Sequence, residues 1–199
     1  MPKRRIFISI PLAKEARYAL ERGVYEIEER LAKSFSEVRF SPPENWHITL
    51  LFLGDQEDDA LAKIVRVTEE VAAEAPELEL NLEKIIYGPP SISGKSNKEP
   101  RMIWAVGDET SSQKIGALKR KLEDRLIEVG VRFEIDHKPE ILHITLARIA
   151  RFDAGSTPPV EEKLDLKMRG EKIEVMESEL KKGGPEYFVL GSFDLAVME

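Results

Sequence analysis

The sequence predicts an α+β protein built from two similar halves, and three observations support this. Runs rich in β-branched and aromatic residues alternate with segments whose apolar residues recur at helical spacing. The tetrapeptide HITL occurs twice among the 199 residues, at 47–50 and at 143–146. Each copy follows a predicted helix and lies in a predicted strand of its own. A chain of this length suits one domain of two closely associated lobes.

The first half is predicted to run strand, helix, strand. Residues 4–10 (RRIFISI) form a strand bounded by Pro11. After the break at SPPE, the run WHITLLFLG predicts a buried strand that ends at Gly54. Between them, residues 12–35 predict a helix, because one face carries Ala16, Leu20, Val24, Ile27 and Leu31.

A second helix and a long strand complete this half. Asp55 is expected to cap the helix. The stripe that predicts this helix consists of Leu61, Ile64, Val65, Thr68, Val71 and Ala72. The partly alternating run LELNLEKIIYG then predicts a strand, and the polar segment PPSISGKSNKEP predicts a loop.

The second half repeats this order. RMIWAVG predicts a strand, VRFEI and LHITLARI predict two more, and the tail predicts a further two or three with turns at Gly170 and at Gly183 and Gly184. Gly130 lies where the C-terminus of a helix over 110–129 would place it. The apolar face of that helix consists of Ile115, Leu118, Leu122, Leu126 and Val129.

Composition excludes several classes of function. The chain contains no cysteine, which excludes disulfides, thiolate metal sites and cysteine nucleophiles. A formal net charge of −7 argues against bulk coating of nucleic acid, but it is compatible with a small basic cleft for a single phosphate. No apolar run approaches the roughly 20 residues that span a bilayer, and the N-terminal run is unlike a signal peptide. We therefore expect a cytoplasmic protein with no membrane partner.

Each HITL strand would hold an imidazole and a hydroxyl side by side. Side chains alternate along a strand, so His and Thr point one way while Ile and Leu point into a core. Two such strands facing one another would offer two imidazoles across a gap. In-line opening of a cyclic phosphodiester needs this arrangement, because a base and an acid act on opposite sides of the phosphorus. Imidazole can take either role near neutrality, and hydroxyls can donate to the phosphate oxygens.

This pattern leaves open which histidine is the acid. The strained cyclic ester carries one negative charge and does not require a metal. A lone histidine on an apolar strand is more often a structural residue. Two of the chain's three histidines, however, begin identical motifs in matching positions, and this favours a functional pair.

The two motifs, NWHITLLFLG and LHITLAR, resemble the paired H-x-T-x motifs of the 2H phosphoesterase superfamily. The runs RRIFISI, RMIWAVG and MESELKKGGPEYFVLGSFDL are similar to one branch of it, the RNA 2′,3′-cyclic phosphodiesterases, also called 2′-5′ RNA ligases. The resemblance implies one bilobal α+β domain over residues 1–199. Two antiparallel sheets would line a central cleft, with helices on the outside and the halves related by a pseudo-two-fold axis.

The resemblance also implies the role of each residue in the site. His47 would be the proton donor and His143 the proton acceptor, while Thr49 and Thr145 would hold the phosphate. The implied reaction converts a 2′,3′-cyclic phosphate on RNA to a 2′-phosphate without a cofactor or metal. An RNA 5′-hydroxyl in place of water would join two ends through a 2′-5′ linkage without ATP. We expect the protein to act as a monomer.

Four further positions bear on the site. Arg148 is implied as a phosphate contact, with a surface salt bridge as an equal alternative, because its facing depends on whether the strand bends. Leu51 stands where relatives often carry a basic residue. Phe7 either stacks on a base or, as we expect, packs in the core. Tyr187 matches the family tail and is expected to be structural.

Several weaker signals carry no assignment. The run GPPSISGKS has one residue too many between its glycines for a P-loop, and its prolines remove amide donors. Lys95, Lys98 and Arg101 are expected in a solvated loop, with contact to RNA as the alternative. His137 forms no recognised metal spacing with His143, so no metal site is predicted.

Two alternatives to an enzyme acting on RNA ends stay open. One is a phosphodiesterase that acts on small cyclic nucleotides or on ADP-ribose cyclic phosphate. The other is a non-catalytic module that binds RNA ends, in which the histidines only hydrogen-bond the phosphate.

Overall fold

A computed structural model describes residues 3–32, 38–90, 99–136, 140–151, 158–182 and 184–197. Within these ranges the chain has nine strands, three α-helices and one short 3-10 helix. The strands are β1 (Arg4–Pro11), β2 (Val38–Phe40), β3 (His47–Gln56), β4 (Leu78–Gly88), β5 (Met102–Gly107), β6 (His143–Ile149), β7 (Glu161–Gly170), β8 (Lys172–Lys181) and β9 (Gly184–Asp194). The helices are α1 (Lys14–Ala32), α2 (Asp58–Glu74) and α3 (Glu109–Glu128).

The nine strands form one antiparallel sheet whose two halves meet in the middle. One half has the order β7-β4-β5-β6 and the other β3-β1-β8-β9. The strands that carry the HITL motifs, β3 and β6, join the halves through the single residue pair Ile48 and Ile144. Corresponding strands of the halves therefore lie equally far from this junction, as the predicted pseudo-two-fold relation requires. The two predicted sheets are the two four-stranded halves of one sheet.

The short strand β2 belongs to neither four-stranded half. It pairs with the last three residues of β6, beyond the junction between β6 and β3. β2 therefore lies at the point where the two HITL strands have separated, and its side chains border the gap between the halves.

The three helices cover one face of the sheet. Helix α1 contacts β7 and β2, α2 contacts β8 and β9, and α3 contacts β3, β4 and α2. Their apolar faces share one buried cluster with Ile48, Leu50, Ile144 and Leu146. The isoleucine and leucine of each HITL motif thus face the helices, and the histidine and threonine face the opposite side. Among the described residues, no helix is both long and apolar enough to cross a bilayer.

Both HITL strands carry the same β-bulge. The last residue of each motif, Leu50 or Leu146, has no partner on the neighbouring strand, while the residues on either side are paired. The unpaired leucine and the residue after it are both buried. An extra residue of this kind shifts the alternation by one position. Residues three places after the threonines, Phe52 and Arg148, consequently share the threonines' face.

Two details of the connection from β3 to α2 differ from the sequence-based prediction. The strand does not end at Gly54 but continues to Gln56, with Gly54 accommodated at φ 68°. Asp55 is therefore a strand residue, and Glu57 occupies the position before helix α2 without making a side-chain cap. The longer strand is possible because Gly54 and Asp55 pair with β1.

The predicted strand VRFEI is wrong: the described residues 131–136 contain no strand. Val131 is buried, and the carbonyl of Arg132 accepts a hydrogen bond from the Gln56 side chain at 2.9 Å. This carbonyl of the segment thus bonds to a side chain and not to a neighbouring strand. The short strand β2 was not predicted, whereas the remaining strands and the three helices lie within a few residues of their predicted positions.

Candidate active site

A cleft of about 740 Å³ opens between the two halves of the sheet, on the face away from the helices. Both HITL strands contribute their histidine and threonine to its wall. The rest of the wall comes from β1, β2, the segment before β3, and the turn between β8 and β9. The structure therefore brings together His47, Thr49, His143, Thr145 and Arg148.

The two histidine rings are held in the same way. Nδ1 of His47 lies 2.8 Å from the carbonyl oxygen of Asn45, and Nδ1 of His143 lies 2.8 Å from that of Ile141. Each carbonyl belongs to the residue two places before its histidine. Because a carbonyl only accepts, Nδ1 must carry the hydrogen in both rings. Nε2 of each ring is then the nitrogen available to a molecule in the cleft.

The strand register sets the two motifs head to tail. Ile48 and Ile144 are paired in an antiparallel ladder. One residue away on either side of this pair, His47 is directed towards Thr145 and His143 towards Thr49. Each imidazole therefore has the other strand's hydroxyl as its neighbour across the junction. This arrangement can place two imidazoles and two hydroxyls around one small anion.

The β-bulge in β6 decides the facing of Arg148, which the sequence left open. Its side chain is exposed and lines the cleft together with Thr145. The guanidinium lies near Tyr187 and opposes the rise that burial causes in the pKa of the Tyr187 hydroxyl. In β3 the same bulge brings Phe52 to the cleft wall, with 60% of its surface exposed. Leu51 is 3% exposed and belongs to the core.

Aromatic rings surround His47. The ring centroid of Phe7 lies 5.0 Å from that of His47, and the ring of Tyr187 meets His47 edge-on at 5.3 Å. Phe7 is 1% exposed, but its ring packs in the cleft wall against His47, Phe52 and Tyr187 and not in the main buried cluster. Tyr187 was expected to be structural but lies in the cleft wall. Tyr187 belongs to β9, which pairs with β8 and is distant in sequence from both HITL motifs.

A tryptophan that the sequence did not single out stacks on His143. The rings of Trp104 and His143 lie 3.9 Å apart and are inclined by 23°. On the other side of the indole, any Cβ at Gly88 would come within 2.4 Å of the ring. Trp104 is thus held between the backbone of Gly88 and the His143 imidazole. The only sequence feature that could have predicted this contact is the position of Trp104 on the strand that precedes the second motif.

Burial lowers the pKa of both histidines below the ordinary value of 6.5. For His47, the hydrogen bond to Asn45 partly opposes this change and the nearby His143 adds to it. For His143, the hydrogen bond to Ile141 and the charge of Glu140 both oppose it. Both rings therefore favour the neutral form more than a free imidazole does. The effect of His143 on the pKa of His47 is consistent with the two rings lining the same cleft.

The weaker predictions fall outside the cleft or outside the described residues. His137, Lys95 and Lys98 lie outside the described residues. Arg101 is exposed and does not line the cleft. Within the described ranges, no three histidine or acidic side chains come together as a metal site would need.

Comparison with protein-family models identifies one family. The model described as LigT like Phosphoesterase matches residues 10–92 and 106–187, well over half of the chain. The first matched segment contains one HITL motif and the second contains the other.

Comparisons with individual proteins agree with this match. An RNA 2′,3′-cyclic phosphodiesterase from Thermus thermophilus is 29% identical over 192 residues, which cover 96% of this chain and 90% of that protein. One from Methanothermobacter thermautotrophicus is 26% identical over 198 residues, covering 97% and 100%. A crystal structure of a Thermus thermophilus protein has a TM-score of 0.76 at 28% identity, covering 96% and 97%. Escherichia coli LigT complexed with 3′-AMP shares the fold, with a TM-score of 0.71 at 21% identity, covering 98% and 99%.

Proposed function

Because the chain belongs to the LigT-like phosphoesterase family, we propose that it hydrolyses 2′,3′-cyclic phosphate ends of RNA to 2′-phosphomonoesters. The names of its relatives support this choice of substrate, since they are RNA 2′,3′-cyclic phosphodiesterases. The proposed catalyst is the pair of imidazoles, His47 and His143, without a metal or cofactor.

One observation carries the proposal. Each imidazole has Nδ1 fixed by the carbonyl two residues before it, so that Nε2 of both rings is available in one cleft. A purely structural role for the two histidines does not account for the same arrangement in both halves of the molecule. A pair of open imidazole nitrogens beside one anion site suits in-line transfer at phosphorus, with a base on one side and an acid on the other.

The proposed reaction follows from these positions, with the roles taken from the resemblance. Nε2 of His143 removes a proton from water as the water oxygen forms a bond to phosphorus. The bond between phosphorus and the ribose 3′ oxygen breaks on the opposite side. Protonated Nε2 of His47 gives its proton to the departing 3′ oxygen. The products are a 2′-phosphomonoester and a free 3′-hydroxyl, and the two histidines have exchanged protonation states.

Three side chains are proposed to hold the phosphate during this step. The hydroxyls of Thr49 and Thr145 donate to the non-bridging oxygens, where negative charge accumulates. Arg148 supplies a guanidinium whose paired N–H groups match two phosphate oxygens. Its place on the threonine face of β6 supports this role over a surface salt bridge.

End joining is proposed as a second outcome at the same site. An RNA 5′-hydroxyl that takes the place of water would attack the same phosphorus, and the 3′ oxygen would leave in the same way. The product is then a 2′-5′ phosphodiester. No ATP is needed, because the strained cyclic ester already supplies the driving force.

We also propose that residues 1–199 act as one domain, as a monomer in the cytoplasm. The absence of cysteine suits a reducing compartment. Both halves of the sheet contribute to the cleft and share one buried cluster, which favours a single cooperative unit.

Product analysis tests the proposed function. An oligonucleotide ending in a 2′,3′-cyclic phosphate is incubated with the protein in the presence of EDTA, and the position of the terminal phosphate is determined. We expect a 2′-phosphate. A 3′-phosphate would contradict the proposed direction of opening, and loss of turnover with EDTA would contradict metal independence. Tight binding without turnover would identify a non-catalytic module that binds RNA ends.

A further inference from the structure

Two arginines stand directly opposite each other beside the catalytic histidines. Arg39 of β2 pairs with Arg148 of β6 in the antiparallel ladder. Both side chains are exposed and both line the cleft. The Cβ atoms of such a pair lie about 5 Å apart, and like charges in these positions repel. An anion bound between the two guanidinium groups would turn this repulsion into attraction.

Both guanidinium groups extend towards the start of β9. A Cβ at Gly184 would lie 3.7 Å from a terminal nitrogen of Arg39, so the Arg39 side chain crosses from β2 to this glycine. Gly184 has φ 125°, a conformation that side chains rarely adopt, and this keeps the space beside Arg39 open. Arg148, on β6, lies beside Tyr187, which is on β9 together with Gly184. The two cations are thus held against one wall of the cleft.

The described residues of the cleft wall include more cationic than anionic side chains. The chain as a whole has a net charge of −7. The described charged side chains in the cleft wall nevertheless comprise four cations and one carboxylate, namely Arg5, Arg39, Arg148, Lys181 and Glu186. Lys181 and Glu186 are 3.4 Å apart and form an ion pair at the rim. The other three cations are arginines, so cationic side chains outnumber carboxylates among the described residues of the cleft wall.

We propose that Arg39 binds a second phosphate of the substrate, the phosphodiester that links the terminal nucleotide to the one before it. This inference rests on the proposed function, because it assumes that the cyclic phosphate lies between the two histidines. Arg148 is three residues beyond Thr145, no more than about 10 Å along the strand, and Arg39 stands beside it. One nucleotide of an extended RNA strand and a long arginine side chain span such a distance.

This second phosphate site would make the enzyme prefer RNA to mononucleotides. A nucleoside 2′,3′-cyclic phosphate presents only the reacting phosphate and places no second anion between Arg39 and Arg148. A dinucleotide supplies that second charge. The site would therefore discriminate by the charge of the backbone and not by the base, because phosphate contacts carry no sequence information.

Three substrates in a matched series test the proposal. They are a nucleoside 2′,3′-cyclic phosphate, a dinucleotide with the same cyclic end, and that dinucleotide with a neutral methylphosphonate linkage. For the unaltered protein we expect kcat/KM to be about tenfold higher for the normal dinucleotide than for the methylphosphonate, in keeping with one charge-assisted hydrogen bond. In R39Q this ratio should fall close to one, mainly through KM.

Two further variants separate charge from folding. R39K keeps the charge but not the planar fork, and should retain part of the preference. The control R66Q removes an exposed arginine on α2 that does not line the cleft, and should leave every ratio unchanged. The slope of log KM for the dinucleotide against log salt concentration should also be smaller in R39Q, by about one.

The outcomes distinguish this inference from the proposed function. If the unaltered protein turns over none of the three substrates, the proposed function fails. If it turns over all three but shows no preference for the charged linkage, the second phosphate site fails alone. An R39Q variant that keeps the full preference would also overturn it, as would one that loses activity equally on all three substrates.

Discussion

The two HITL motifs share a backbone arrangement but differ in their neighbours. Both strands have the same bulge, and both histidines are held by the carbonyl two residues before them. Around His47 lie the tilted ring of Phe7 and the edge of Tyr187. His143 instead has the indole of Trp104 stacked on its face and the carboxylate of Glu140 nearby.

This difference teaches how identical motifs can take different roles. A stacked indole and a nearby carboxylate both stabilise a positively charged imidazole, so His143 is well placed to gain a proton. The charge of His143 in turn lowers the pKa of His47, which helps His47 to give up its proton as His143 becomes cationic. These surroundings make the two rings unequal, but a group that stabilises a cationic His143 would serve a protonated donor as well as an acceptor, so the assignment of roles rests on the resemblance.

Removing either histidine should have the largest effect and would test the difference in roles. H47A and H143A are each expected to reduce kcat by about 10²- to 10⁴-fold on a cyclic-phosphate oligonucleotide. A substrate with sulfur in place of the departing 3′ oxygen needs little help from an acid. It should restore much of the activity of H47A, the donor variant, but not that of H143A.

Single-turnover rates on the two substrates would measure this. H137A is the matched control, because the third histidine lies in neither HITL motif. Restoration of H143A alone would reverse the assignment of donor and acceptor, and equal restoration of both variants would mean that the two histidines are interchangeable.

The threonines should show the similarity of the two motifs. T49V and T145V each remove one donor to the phosphate while keeping the shape of the side chain. We expect each to lower kcat by about ten- to a hundredfold. T110V, at an exposed position of α3 outside the cleft, serves as the control. Steady-state kinetics that leave one of the two cleft variants unimpaired would show that only one strand holds the phosphate.

The aromatic neighbours should produce a smaller and unequal effect. Replacement of Trp104 by Leu removes the stacked ring from His143 and is expected to lower kcat roughly fivefold, the equivalent of about 1 kcal/mol. Phe7→Leu should cost less, since its ring is tilted and 5.0 Å from His47, against 3.9 Å for the indole. Trp104→Phe, which keeps an aromatic face, is the control. Kinetics at a temperature where all variants are folded would compare them, and an equal loss at both positions would argue against a special role for the stack.

The pH dependence should shift in one direction. The donor must be protonated and the acceptor neutral, so kcat/KM follows a bell-shaped profile. Because burial lowers the pKa of both His47 and His143 in the free protein, both inflections should lie below the ordinary value of 6.5. A flat profile between about pH 5 and 9 would contradict paired acid–base catalysis.

The same pKa values predict a modest change in stability. A histidine with a lowered pKa binds a proton less readily in the folded chain than in the unfolded one. The free energy of unfolding is therefore fully retained above pH 6.5 and declines as the pH falls from there through the lowered values. Denaturant unfolding at several pH values should show a smaller decline in the double variant H47Q/H143Q than in the unaltered protein.

Most of the fold could be predicted from the sequence because its signals are local. Helical stripes and β-rich runs located all three helices and most strands. The failures occurred where a distant residue decides the outcome. In the segment 131–136, which forms no strand, the carbonyl of Arg132 accepts from the distant Gln56 side chain. Asp55 does not cap α2, because pairing with β1 extends the strand.

The site was predictable to the extent that it follows from the motif itself. Alternation along a strand was enough to expect each histidine and threonine on one face. The facing of Arg148 depends on a bulge, and pairing between strands creates that bulge, so no local pattern contains it. Trp104 and Tyr187 come to the cleft from strands far away in the chain. The roles of the five predicted residues stay a prediction.

The junction between the two halves has a consequence for how the protein can vary. One pair of residues joins β3 to β6, so the separation of the two histidines depends on the packing of Ile48 and Ile144 and not on a long hydrogen-bond ladder. Both isoleucines are almost completely inaccessible to solvent. Exchanging one for valine is expected to cost only about 1 kcal/mol of stability but to shift one of the two proposed catalytic histidines relative to the other. Natural variation at these two positions should therefore be limited by the rate of the reaction long before it is limited by folding.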